Sequence, residues 1–189
     1  MTSVFIHGSE DLVRITISGH PGSGTSTLVN LLEERFSWQS LNGGDVFRSE
    51  AKRRGMSLSE FGKLCSSDLS VDKSLDTLLK EKMSEDNSFE IIESRLAGWW
   101  AYKLGLDCVR VWIKVSEEER ARRVVAREGG SVKNKISENR ERMAIDEERF
   151  MSLYGIKPQE EEPYTDIIEA SNLTPEQVLD SVVQLLEGV

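Results

Sequence analysis

At 189 residues the chain is long enough for one well-filled core and too short for two ordinary domains. Its composition, 38% hydrophobic and 30% charged with 14 Gly and 4 Pro, excludes a collagen-like, low-complexity or disordered chain. With 33 acidic against 24 basic side chains the net charge is -9, so nucleic-acid backbones and anionic membranes are repelled, and any phosphate must be held by a local basic cluster.

Cys65 and Cys108 are too few for a disulfide framework, and with His7 and His20 they offer no paired metal-ligand spacing, so buried free thiols are expected. No apolar run approaches the roughly 20 residues of a membrane span. Val4-Phe5-Ile6 lacks a basic flank, and the chain reads as cytoplasmic.

Val13 to Ser18 is rich in β-branched residues and stops at Gly19, and from Ser26 the apolar positions Leu28, Val29, Leu31 and Leu32 take helical spacing. The pattern predicts strand, glycine loop, helix. Trp38 to Leu41 predicts a second strand, Asn42-Gly43-Gly44 a turn, and Val46 to Lys52 a helix. Ser57 to Met83 reads as three mainly polar helical segments with no strand between them, a helical insertion. Phe89 to Ile92 and Val109 to Val115 are further strands, separated by a helix over Leu96 to Lys103. Ser116 with Glu119 opens a helix that stops at Gly129-Gly130, a second runs from Ile136 to Leu153, and Ile167-Ile168 is the last strand. Thr174-Pro175-Glu176-Gln177 then starts a final helix. Strands alternating with helices predict one α/β domain, a parallel sheet covered on both faces.

Gly19-His20-Pro21-Gly22-Ser23-Gly24-Thr25-Ser26-Thr27 lies where a strand ends and a helix begins, the context in which backbone N–H groups can face a phosphate. The spacing matches G-x-x-x-x-G-K-[ST] except that Thr25 replaces the lysine. Two readings stand: a tight turn without a ligand, or a phosphate loop in which Ser26 ligates Mg²⁺ and Thr25 or Thr27 bonds phosphate oxygens. The missing cation implies either compensation by other basic side chains or nucleotide binding without transfer, as in a switch or assembly factor. In the helix from Ile136 to Leu153, Arg142, Asp146 and Arg149 share one stripe beside Met143 and Phe150. Asp146 pairing with both arginines on an exposed helix would give the same spacing.

In order, Gly19 to Thr27, Gly44-Asp45-Val46-Phe47-Arg48, Glu93-Ser94-Arg95-Leu96-Ala97-Gly98-Trp99 and Arg142-x-x-x-Asp146-x-x-Arg149 resemble the cytidylate kinases, most closely their archaeal branch. The resemblance runs from Val13 onward and includes Met56 to Lys63, Arg120-Ala121 with Arg123, and Tyr154-Gly155-Ile156. It implies a P-loop NTPase fold with five parallel strands, a nucleotide-binding insertion at about 46–88 and a lid at about 127–155. It also implies transfer of the ATP γ-phosphoryl group to CMP and dCMP with Mg²⁺, by a monomer, with no nucleic-acid or membrane partner; adenylate, shikimate and gluconate kinases share sheet and loop. By the same resemblance the loop residues bind ATP together with Arg123 and Arg127, and Asp45, Arg48, Arg95 and Gly98 bind the acceptor. Arg142 and Arg149 close over the phosphates, with Asp146 either orienting them or accepting from the ribose. The branch often carries Thr at the loop's lysine position, so Thr25 reads as a family trait. Bacterial members tend to have an aspartate where Leu96 stands. An acidic side chain suits the cytosine amino group, which makes Asp72 and Asp76 candidates for base recognition, or else surface charges. Glu93 reads either as a water-mediated Mg²⁺ contact or as a helix cap, and Trp99 and Trp100 as packing aromatics.

Overall fold

The β-branched run at the start of the chain forms β1 (Ile15–Gly19) of a computed structural model that describes residues 13–84 and 89–188. The strand alternates as its pattern requires: Ile15 and Ile17 point into one apolar layer, while Thr16 and Ser18 are buried on the opposite face. Four more strands follow, β2 (Ser40–Asn42), β3 (Ile91–Glu93), β4 (Val109–Lys114) and β5 (Asp166–Glu169). All pairings are parallel, in the order β2-β3-β1-β4-β5. The chain leaves β1 toward β2 on one side and later reaches β4 on the other. A crevice therefore opens beyond the carboxyl ends of β1 and β3, the usual ligand position in such sheets.

Helices α1 (Thr25–Phe36) and α8 (Pro175–Glu187) cover one face, where Leu28, Leu32, Val178 and Val182 close over Ile15, Ile17, Val109 and Val111. Against the other face lie α5 (Ala97–Leu104), with Trp99 and Trp100, and Phe150 of α7 (Val132–Tyr154). The tryptophans are packing residues: Trp99 donates from its indole to the Lys157 carbonyl at 3.0 Å, and Trp100 meets Tyr154 edge-on at 4.8 Å. Cys65 and Cys108 are buried and form no disulfide.

The insertion departs from expectation in detail. Between Ser57 and Met83 there are two helices rather than three, α3 (Leu58–Ser67) and α4 (Leu69–Ser84), which join α2 (Gly43–Arg53) around Phe61, Ala51 and Cys65. Strands also shift by one or two residues: β2 and β3 end at Asn42 and Glu93, because β3 pairs with β1 and β2 with β3 up to where the crevice opens. The capping box at Thr174 is reciprocal with Gln177. At the start of α6 (Glu117–Glu128) only half of one forms: Ser116 accepts from the Glu119 amide, but the Glu119 carboxylate is held by Arg123. Among the described residues no helix is long and apolar enough to cross a membrane.

Candidate active site

The chain turns from β1 into α1 through two glycines in the left-handed region, Gly22 at φ 83° and Gly24 at φ 89°. Gly24 occupies the N-cap of α1, and no side chain caps that helix, whereas Asn42, Ser57, Ser116, Ser131 and Thr174 cap α2, α3, α6, α7 and α8. The first turn of α1 also holds no acidic residue, so its amides and its positive dipole end remain available to an anion. Buried Arg120 braces the loop from α6, donating to the Pro21 and Val115 carbonyls. A Cβ at Gly22 would stand 2.8 Å from the Arg120 carbonyl oxygen, so loop and α6 are in backbone contact. Gly22→Ala adds left-handed strain of roughly 1–2 kcal/mol to that clash. We expect affinity for a polyphosphate ligand to fall about tenfold or more by calorimetry; an unchanged Kd would show that the loop does not depend on this conformation.

The loop opens on a cleft of about 730 Å³. Gly19, His20, Pro21, Gly22, Thr25 and Ser26 line it from the β1–α1 turn, Arg48 from α2, Arg95 from the segment after β3, Arg127 from α6, and Arg142, Asp146 and Arg149 from α7. Five arginines thus converge on one cavity of a protein with net charge -9. Two of them share Asp146: its Oδ2 is ion-paired with Arg95, and its Oδ1 lies 3.2 Å from Arg149. The expected pairing of Asp146 with Arg142 is replaced by this pairing across the fold, because Arg95 sits under the middle of α7. Burial pulls the Arg95 guanidinium below its ordinary value, Arg142 and Arg149 add to that, and Asp146 opposes it. His20 is lowered to about 4 by burial and by Arg120 and Arg95, which leaves it neutral at physiological pH.

Thr25, at the position of the missing lysine, donates its hydroxyl to Glu93 Oε1 at 2.8 Å, and Asn42 donates to the other oxygen of the same carboxylate. Glu93 is therefore neither a helix cap nor idle: it ties the phosphate loop to Asn42, which caps α2 by accepting from the Gly44 amide at 2.7 Å. Burial pushes the Glu93 carboxyl up, and the bonds from Thr25 and Asn42 act against that shift.

Several predicted contacts lie elsewhere. Ser23 is buried and donates to the His20 carbonyl, Gly24 serves as the α1 cap, and Thr27 faces solvent away from the cleft. Arg123 is a strut rather than a cleft residue, donating to the Ser23 and Ala170 carbonyls at 3.0 and 2.7 Å. Asp45 stays outside the lining and pairs with Arg48. Gly98 packs against Tyr164 beneath the site, where its missing side chain rather than its chemistry is used. Asp72 belongs to α4, but its side chain lies outside the described residues. Asp76 does line the cleft.

Sequence reasoning missed Lys135 and Asn139, although the spacing 135, 139, 142, 146, 149 continues the lid stripe toward the start of α7. Asn139 is 7% exposed and its Nδ2 has no partner, an orphaned donor on the wall of the cleft. Such a group costs about 1–3 kcal/mol unless something accepts from it. Orphaned donor, uncapped helix and clustered cations together fit a polyanionic ligand.

A parallel sheet carrying a glycine loop at the end of its central strand, with arginines converging from an insertion and a helical lid, defines a P-loop kinase. The fold is shared at low identity by solved structures: an uncharacterised protein from Eubacterium ventriosum (TM-score 0.72, 14% identity, 94% of this chain and 99% of that one) and a shikimate kinase from Acinetobacter baumannii in complex with shikimate (TM-score 0.60, 14% identity, 95% of each). Residues 15–146 match the family model described as an AAA domain. Cytidylate kinase of Methanococcoides burtonii is 36% identical over 92% of this chain and 97% of its own length, and that of Pyrococcus abyssi 37% identical over 87% and 88%. The chain belongs to the cytidylate kinase family.

Proposed function

We propose that this protein transfers the γ-phosphoryl group of ATP to CMP and dCMP, giving ADP and the cytidine diphosphate. The observation that carries the reading is the single cleft in which a phosphate loop faces Arg48 and Arg95 across from the lid arginines. A two-anion reaction needs cations on both sides and at the middle, and this arrangement supplies them.

The uncapped amides of α1 hold the donor phosphates, and the guanidinium forks of Arg48 and Arg95 hold the acceptor phosphate. A phosphate oxygen of CMP attacks the γ-phosphorus in line with the bond to ADP; that oxygen is already ionised at neutral pH, so no general base is required. Negative charge at the transferring group is met by Arg142 and Arg149, with Arg127 and Lys135 on the same wall. Those cations offset the loss of the lysine at Thr25. Asp146 fixes Arg95 and Arg149 relative to one another, so the acceptor-binding fork and the lid move as one unit. The cleft lining fits Mg²⁺: Ser26 Oγ would hold it, with Glu93 as a further oxygen donor of the same lining, and a magnesium ion needs few protein oxygens because it arrives on phosphates with its own waters. When bound it would neutralise phosphate charge.

ADP release from Mg-ATP, coupled to an optical readout and run with CMP, dCMP, UMP, AMP, shikimate and no acceptor, tests the reading. We expect turnover that depends on CMP or dCMP. Turnover with shikimate or AMP alone would replace the assignment, and ATP binding without acceptor-dependent turnover would remove it.

A further inference from the structure

Cytosine and uracil differ at one exocyclic position, where cytosine carries an N4 amino donor and uracil a carbonyl. One wall of the cleft has the composition to read that difference. Val46 and Phe47 from α2, Leu75 and Leu79 from α4, Leu96 and Phe150 contribute apolar surface to the cleft lining, suited to a flat base, and Val46, Leu79, Leu96 and Phe150 pack in one cluster. Among these side chains α4 contributes one carboxylate, Asp76.

Asp76 is not left to find its own orientation. Tyr154, one helical turn beyond Phe150, donates its phenolic hydroxyl to Asp76 Oδ2 at 2.6 Å. The phenol ring is itself fixed, edge-on to Trp100 at 4.8 Å, and Lys80 lies 4.7 Å above the other ring of that pair. Because a phenol O–H donates, Asp76 is the acceptor, and a carboxylate offers about four lone-pair sites, enough to accept from more than one donor at once. Trp100 is 2% exposed, so this support reaches into the core.

We propose that Asp76, oriented by Tyr154, selects the base of the acceptor: its carboxylate accepts from the amino group of a cytosine held in the apolar slot and repels the carbonyl that uracil presents there. The assignment rests on the reading of the site as a CMP kinase. A site built to bond a particular polar group rejects the analogue that lacks it far more strongly than an apolar pocket rejects a change of shape. Tyr154 acts as a positioning residue, through the carboxylate and not on the base. Since it stands on α7, base selection and the lid arginines share one helix.

The test is the ratio of kcat/KM for CMP to that for UMP. Asp76→Asn keeps the size of the side chain and offers an amide donor to a carbonyl, and the ratio should fall about 100-fold or more, with UMP gaining in absolute terms. Tyr154→Phe keeps the ring against Trp100 and should lower the ratio about five- to tenfold, through KM for CMP with kcat little changed. A wild-type ratio retained in both variants would overturn the assignment. Absence of CMP turnover in the wild type would instead overturn the functional reading beneath it. If Asp76→Asn fails to fold, Tyr154→Phe decides by the ratio alone.

Discussion

Replacing Arg95 by alanine is expected to lower kcat/KM for CMP by about 10³-fold or more, the scale on which single arginines act in phosphoryl transfer. Arg95 stands between acceptor and lid: it lines the cleft after β3 and is ion-paired with Asp146, which also holds Arg149. In the proposed reaction its loss removes one of the two forks on the acceptor phosphate and loosens the part of α7 that carries Arg149. The KM for ATP should change little, because the donor amides belong to α1 and the loop is braced by Arg120. Stability should also survive, since Asp146 keeps Arg149 as a partner and is not left as an unpaired buried charge. Arg95→Lys separates charge from geometry: a point charge restores part of the rate but not the bidentate grip. A steady-state comparison with CMP at fixed Mg-ATP checks this. Activity of Arg95→Ala within tenfold of wild type would mean that the acceptor phosphate is held elsewhere.

The strand-loop-helix unit and the lid stripe were readable because each is local: the switch from β-branched to helical periodicity at Gly19, and the offsets of four and three along α7, are set within a few residues. What the chain does not spell out is which side chains meet across the fold. Arg95 and Asp146 are 51 positions apart, Thr25 and Glu93 are 68 apart, and both contacts exist only once β1, β3 and α7 are assembled. Arg123 shows the same limit in reverse. Its neighbourhood in sequence is that of a cleft cation, but the turn of α6 aims its fork at the Ser23 and Ala170 carbonyls, so it supports the loop from behind. The apolar slot escaped notice because Val46, Leu75 and Phe150 come from three helices and read individually as ordinary packing positions.

Gly98 supplies the other large effect, on stability rather than rate. A Cβ at this position would lie 2.4 Å from Cε1 and 2.8 Å from Cδ1 of Tyr164, closer than any packed pair tolerates. The ring has nowhere to retreat: it is buried, its hydroxyl donates to the Pro158 carbonyl, and it packs tilted against Trp112 with ring centroids 5.3 Å apart. The helix is equally fixed, since the Gly98 amide donates to Ser18 Oγ on β1 at 3.3 Å. Overpacking of this kind costs about 1–3 kcal/mol and occasionally more, while replacing a helical glycine by alanine returns roughly 1 kcal/mol. Gly98→Ala should therefore lower Tm by several degrees, and Gly98→Val, with two further methyl groups against the same ring, should leave little folded protein at 37 °C. The KM for CMP in the folded fraction of Gly98→Ala should match wild type, because the residue lies outside the cleft lining. Combining Gly98→Ala with Tyr164→Leu identifies the cause: if the clash with the ring is responsible, the alanine costs less in the leucine background than in the native one. An equal cost in both backgrounds, or a rise in KM without loss of Tm, would return Gly98 to the acceptor site.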